Sequence, residues 1–361
     1  MRIGVVSKWC NRGQAAVSRY VRLLLEEAGH ETYVLARPNR NKSPLGRDVE
    51  IDDPVWKVPR ITYGSKFKIP TDEYIRWVRD TGIDVLFCDM NLQFEEIAAV
   101  RAEGVKTIGR FVWERFNATH AEQSREAYDV IYSLHRGEQE RYGDQFGIDS
   151  PLIRFGCFPD ARGRSAPKRA GGVHFVFHGG MQGPRKPIEK TIEAFRRVED
   201  PSIRLIIKSQ AIRSNSETVD TATDSRVEHV VENMRYDRYH DFFSSCHVSL
   251  SPSRWEGLGV HLFEAIGYGM PTISNDIAPI RDVIEHGRSG LLVRSSVCGS
   301  MPNGLEIYDP DVDHLAACIA ELSDPERLRE MERTTAEARD RLSWEHTRHD
   351  YLQLLASVVE S

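Results

Sequence analysis

Apolar and polar positions fall in blocks that repeat a strand–helix–strand unit. Residues 3–7 form a short apolar run of the kind buried on both faces of a parallel sheet. After the polar segment 8–13, apolar side chains recur at Ala16, Val17, Tyr20, Val21, Leu24 and Leu25, which predicts a helix over 14–28. Gly29 stops it, and 30–36 returns to strand character. A right-handed parallel βαβ unit is the default consequence.

The pattern continues with strands at 83–88, 107–112 and 130–133 and helices at 95–103 and 136–146, whereas 39–63 reads as mostly loop. Residues 159–172 are rich in Pro, Gly and basic side chains and read as a linker. The alternation then restarts, with strands at 174–178, 203–208, 248–251 and 271–274 and helices at 187–198, 239–245 and 260–268. From 325 onward the chain is charged and helix-forming, with Trp344, Tyr351, Leu352 and Leu355 as anchors. The expectation is α/β: two Rossmann-like, doubly wound parallel-sheet domains, 1–158 and 173–340, joined by 159–172. Residues 341–361 are expected to pack as a helix back on the first domain, and ligands to bind in the cleft that the two domains face.

Length and composition narrow the function. At about 150 residues per domain, 361 residues also give two domains. The 48 Lys and Arg against 54 Asp and Glu leave a net charge of −6, which offers no global basic surface for nucleic acid. Six scattered cysteines form no CxxC pair, which argues against a zinc site or disulfide framework and for a reducing cytoplasmic setting. No run approaches the ~18 apolar residues of a membrane span. The basic stretch 154–169 leaves a peripheral contact with anionic lipid as an alternative to a solvated linker. P-loop, HExxH and GxSxG motifs are absent, and Gly257-Leu258-Gly259 lacks the third glycine of a dinucleotide fingerprint.

Candidate chemistry concentrates between a strand ending near Ser251 and a helix starting near Gly259. Glu256 lies in that loop and Glu264 inside the helix, with Gly257 and Gly259 opening the backbone to a ligand. A helical side chain leans toward its own N-terminus, so both carboxylates can converge on one polyhydroxylated molecule, and a carboxylate suits a vicinal diol.

The stretch 251–271, with its E-x7-E element at Glu256 and Glu264, resembles retaining glycosyltransferases of the GT-B fold, particularly family 4, the glycosyl transferases group 1 type. The run from Ala265 to Pro271 and the block from Ile280 to Val293 resemble the family's next two blocks in order. The resemblance implies that Glu264 binds the ribose hydroxyls of a nucleotide-diphospho sugar and that Glu256 contacts the donor sugar. It further implies that N–H groups from Gly257, Leu258 and Gly259 approach sugar and diphosphate. Gly179 to Pro187 resembles the family's phosphate-binding element, so Lys186 matches its lysine, Arg185 assists, and the frequent Arg five positions earlier is Met181 here. Gly13, in the loop after the first strand, is a further donor contact. The frequent His of the first domain is missing from Phe111-Val112-Trp113-Glu114-Arg115.

The implied activity is hexosyl transfer, with retention, from a UDP- or GDP-sugar to a hydroxyl or amine of a small molecule, glycan or lipid. It needs no metal or other cofactor, the nucleotide sugar being a co-substrate. The first domain would hold the acceptor and the second the donor. A non-hydrolysing nucleotide-sugar epimerase on the same fold is the rival enzyme, and a catalytically silent binding protein the rival outside enzymes.

Overall fold

The computed structural model describes residues 1–38, 52–162, 164–212, 219, 221 and 223–360. These form two compact units, one of residues 1–155 with 345–361 and one of residues 156–344. The chain therefore passes between units twice, at Phe155/Gly156 and at Trp344/Glu345.

The first unit contains β1 (Arg2–Lys8), α1 (Gly13–Glu27), β2 (Glu31–Arg37), β3 (Ile61–Tyr63), α2 (Thr71–Thr81), β4 (Val85–Asp89), α3 (Phe94–Ala102), β5 (Lys106–Arg110), α4 (Ala118–Ala127), β6 (Val130–Tyr132) and α5 (Arg136–Phe146). Its strands form one parallel sheet in the order β3-β2-β1-β4-β5-β6. Ile3, Val5 and Val6 on β1 are buried, as an apolar run covered on both faces requires. Of the stripe read for α1, Val17, Tyr20, Val21, Leu24 and Leu25 are buried, whereas Ala16 is only partly so and Ala15 takes the inward position instead. Part of the expected loop region 39–63 lies outside the described residues. Its described end carries β3, an edge strand too short for an apolar pattern.

In the second unit come β7 (His174–Gly180), α6 (Ile188–Arg196), β8 (Arg204–Ser209), β9 (Val227–Val231), α7 (Tyr236–Ser244), β10 (Val248–Ser251), α8 (Val260–Gly267), β11 (Thr272–Asn275), α9 (Ile280–Val283) and β12 (Gly290–Val293). A hairpin, β13 (Ser295–Ser300) with β14 (Glu306–Pro310), precedes α10 (Val312–Ser323) and α11 (Pro325–Arg341). The sheet runs β12-β11-β10-β7-β8-β9, the strand order of the first unit repeated. Its core sets Phe175, Phe177, Leu205 and Ile207 against Ile192 and Phe195 of α6 and Leu315, Ile319 and Leu322 of α10. Each such side chain taken from water contributes roughly 1.5–3 kcal/mol.

The segment read as a linker clusters with this second unit. Its basic side chains are engaged there: Arg162 pairs with Asp340, Arg164 with Asp237, and Lys168 Nζ donates to the carbonyls of Ser244 and Cys246. Finally α12 (Trp344–Glu360) returns the chain to the first unit, where Asp350 holds Arg154 at 2.6 Å and Tyr351 is fully buried against Tyr132. Where the chain enters the second unit, a Cβ on Gly156 would come within 2.7 Å of the Leu342 and Ser343 carbonyl oxygens, so only glycine fits. No helix among the described residues is long and apolar enough to cross a membrane.

Candidate functional site

In each sheet the strand order reverses between the first strand and the fourth, and crevices form at the C-terminal ends of such strands. For the second unit these strands are β7 and β10, and the two candidate loops follow them: 181–187 leads to α6, and 252–259 leads to α8. Arg254 ties the loops together. Its backbone N–H donates to the Arg185 carbonyl at 3.0 Å, its Nη1 to the Pro184 carbonyl at 2.7 Å, and its Nε to Asp309 of β14 at 2.6 Å. Asn275, at the end of β11, donates to the Ser253 carbonyl at 3.0 Å.

Lys186 and Glu256 meet inside this frame. The Lys186 Nζ donates to Glu256 Oε1 and to Ser253 Oγ, both at 2.7 Å. Both side chains are nearly inaccessible, while the half-exposed Arg185 reaches Glu256 Oε2 at 3.4 Å. Burial, and then Arg185, draw the Lys186 ammonium down to about 8 against the attraction of Glu256. Burial alone would raise the Glu256 carboxyl, but Arg185, Lys186 and His261 together hold it well below the usual carboxylate range. At neutral pH the pair is charged, and two of the three ammonium protons of Lys186 are accounted for.

Glu264 has the opposite character. It sits in α8, buried, and accepts a hydrogen bond from Tyr239 Oη of α7 at 3.2 Å. Burial raises its carboxyl to about 8, opposed by the Tyr239 hydrogen bond and reinforced by Asp160. A carboxylate beside a cation cluster and a carboxyl kept neutral by burial thus flank the start of one helix.

Between them, Gly259 takes φ +74 as the N-cap of α8, the left-handed region that glycine occupies without penalty. Leu258 is buried, and Gly257 lies in the turn preceding the helix. The first N–H groups of α8 have no intrahelical acceptor, which makes this helix start a favourable place for negative charge. Gly13 lies in the other unit, where it is the exposed first residue of α1. Among the described residues no three His, Cys, Asp or Glu side chains converge to hold a metal ion.

Four participants escape the sequence reading. Ser253 and Arg254 stand inside the block that carries Glu256, where their polarity among apolar neighbours was the available signal. His261, the second residue of α8, bonds Ser251 Oγ at 2.6 Å, and burial with Lys186 nearby draws it down to about 3, so it is neutral. Tyr239 comes from α7 and reaches Glu264 only through tertiary packing, a relation with no local signature.

Residues 172–323 match the sequence profile of the family described as glycosyl transferases group 1. The D-inositol 3-phosphate glycosyltransferase of Gordonia bronchialis is 27% identical over 124 residues, 34% of this chain. That match spans 24% of the relative's own length. The sucrose-phosphate synthase of Thermosynechococcus elongatus superposes with a TM-score of 0.75 at 16% identity, over 100% of this chain and 99% of that one. Anabaena HepE in complex with UDP-glucose gives a TM-score of 0.71 at 12% identity, over 99% of this chain and 100% of that one. Repeated strand order, loops placed at a switch point and these matches agree: segment 172–323 is similar to the glycosyl transferases group 1 family, and the chain has the two-sheet GT-B fold.

Proposed function

We propose that the protein transfers a hexosyl group from a UDP- or GDP-sugar to a hydroxyl or amine of an acceptor, with retention at the anomeric carbon. The observation that carries this reading is the buried Lys186–Glu256 pair, joined by the half-exposed Arg185, in the loops after β7 and β10, with Glu264 eight residues further along in α8. Leaving-group charge on a nucleoside diphosphate would be met by the remaining proton of Lys186, by Arg185 and by the start of α8. Glu256, ionised and aimed by Lys186, would accept hydrogen bonds from hydroxyls of the donor sugar. Glu264 would take the ribose diol, trading the Tyr239 hydrogen bond and a proton for two hydroxyl donors. On this reading the second unit binds the donor and the first the acceptor. The departing phosphate oxygen takes the acceptor proton, so the protein acts by positioning and electrostatics. The six cysteines, five of them buried, form no disulfide, which fits a reducing cytoplasmic setting.

A melting-temperature screen against UDP-, GDP-, ADP- and TDP-sugars tests the donor class. A UDP- or GDP-sugar should stabilise the chain, and a flat response to all four would refute the reading. With a turning-over pair in hand, the anomeric coupling constant in the product's proton spectrum decides retention against inversion.

A further inference from the structure

Neighbouring strands of the first sheet end in charge: β2 in Arg37, β1 in Lys8, β4 in Asp89 and β5 in Arg110. The register pairs Lys8 with Arg37, so both side chains leave the same face of the sheet. They share one ring, that of Phe67, whose centroid lies 5.8 Å from Lys8 Nζ and 4.5 Å from the Arg37 guanidinium carbon. Arg110 has its counterion in Asp89 at 3.3 Å, and Asp89 also accepts from Ser18 Oγ. Among the described residues neither of the other two cations is in contact with a carboxylate, although Asp89 also feels the charge of Lys8. Arg37 is buried and among the described residues donates to the carbonyls of Phe67 and Met90. Lys8 makes neither a hydrogen bond nor an ion pair among the described residues.

More positive charge surrounds them. Burial first, then Arg12 at the N-cap of α1, Arg115 beyond β5 and Arg37 draw Lys8 down to about 8. Like charges gathered on a half-buried surface raise the free energy of the empty protein, and a bound anion removes that cost. The first turn of α1, which carries no acidic residue, opens beside the end of β1 and adds its N–H groups.

We propose that the C-terminal edge of the first sheet binds a phosphoryl group through Lys8, Arg37 and the start of α1, and that this group belongs to the acceptor. Lys8 and Arg37, neither in contact with a carboxylate among the described residues, match a dianion rather than a single negative charge. The assignment to the acceptor rests on the glycosyl-transfer reading, in which the donor's diphosphate has its own cations, Lys186 and Arg185, in the other unit.

Footprinting of Lys8 on the intact chain tests it, with an amine-reactive ester near pH 8 and peptide mass mapping. Inorganic phosphate should slow labelling of Lys8 by 1 + [L]/Kd, roughly tenfold at ten times its Kd, whereas sodium chloride of equal ionic strength should not. UDP or GDP, at a level that saturates its own effect on melting temperature, should leave Lys8 reactive. In Lys8→Met, which keeps an apolar stem over Phe67, the rise in melting temperature with phosphate should shrink. Labelling indifferent to phosphate overturns the site, and equal protection by acetate overturns its preference for a phosphoryl group. Protection of Lys8 by the nucleotide overturns the assignment to the acceptor. If neither nucleotide changes the melting temperature, it is the donor reading that fails, and the phosphate arm still decides the site.

Discussion

Glu256 and Glu264 belong to one loop-and-helix segment, yet their carboxyls titrate in opposite directions: burial raises both, and at Glu256 the nearby Arg185 and Lys186 outweigh it. This asymmetry has a sign that can be measured. The Glu264 carboxyl moves from an ordinary 4.5 to about 8 on folding, so the folded state holds its proton more tightly than the unfolded state. Its contribution to stability is complete below pH 4.5 and is lost as the pH rises to about 8. Glu264→Gln should abolish that loss, so the variant gains on the parent in denaturant midpoint as the pH is raised through this window. A constant difference across the window would contradict the buried, protonated carboxyl. On the proposed donor reading, donor affinity of the parent should rise over the same window, because a ribose contact at Glu264 would need the carboxylate. At Lys186 the prediction is different. Lys186→Met takes from the buried Glu256 its ammonium partner at 2.7 Å, which should cost about 3 kcal/mol of stability. Urea unfolding measures this, and turnover should fall further than the stability loss explains.

At the scale of elements, the strands and helices of both parallel sheets were legible because their patterns are strong. Residues 3–7 and 174–178 centre on apolar side chains and 248–251 alternates Val and Leu with Ser, and each lies inside an observed strand. What was not legible has weak or non-local causes. The edge strand β9 has only Val227 fully buried, so it shows no apolar run. Hairpin β13–β14 is largely exposed and its pairing is bulged between Val297 and Gly299, so it has no alternation to read. Helix α2 buries just Tyr74, Trp77 and Val78 on one side. The candidate site was legible as Lys186, Glu256 and Glu264, but its bracing by Arg254 across two loops was not, because it depends on β10 and β7 being neighbours. The start of α8 gives this scale its test. In Gly259→Ala the added Cβ lies 2.7 Å from Leu262 Cδ1 at φ +74. The strained turn should cost about 1–2 kcal/mol. Donor affinity should fall alongside, since the N–H groups of the helix start move with the turn. Calorimetry of binding and unfolding separates the two effects.

For the molecule as a whole, the first unit depends on a helix that arrives after the entire second unit. Tyr351, Leu354, Leu355 and Val358 of α12 are buried, and Arg154 pairs with Asp350 in the middle of the helix. Tyr351→Ala should therefore cost about 3–5 kcal/mol. The loss should appear in probes of the first unit, such as exchange protection of β5 and β6 amides, while amides of β7 and β8 keep theirs. Uniform loss across both sheets would mean that the units unfold as one.

The two crossings also set an order of events at the ribosome. Residues 1–155 emerge first but lack the helix that completes their core, whereas 156–344 emerge as one uninterrupted stretch. The later half is thus able to finish folding during synthesis, and the earlier half waits, its unfilled groove exposed to chaperones, until the last turns of α12 are released. A ligand held by the second unit can meet a folded protein before the first unit is whole.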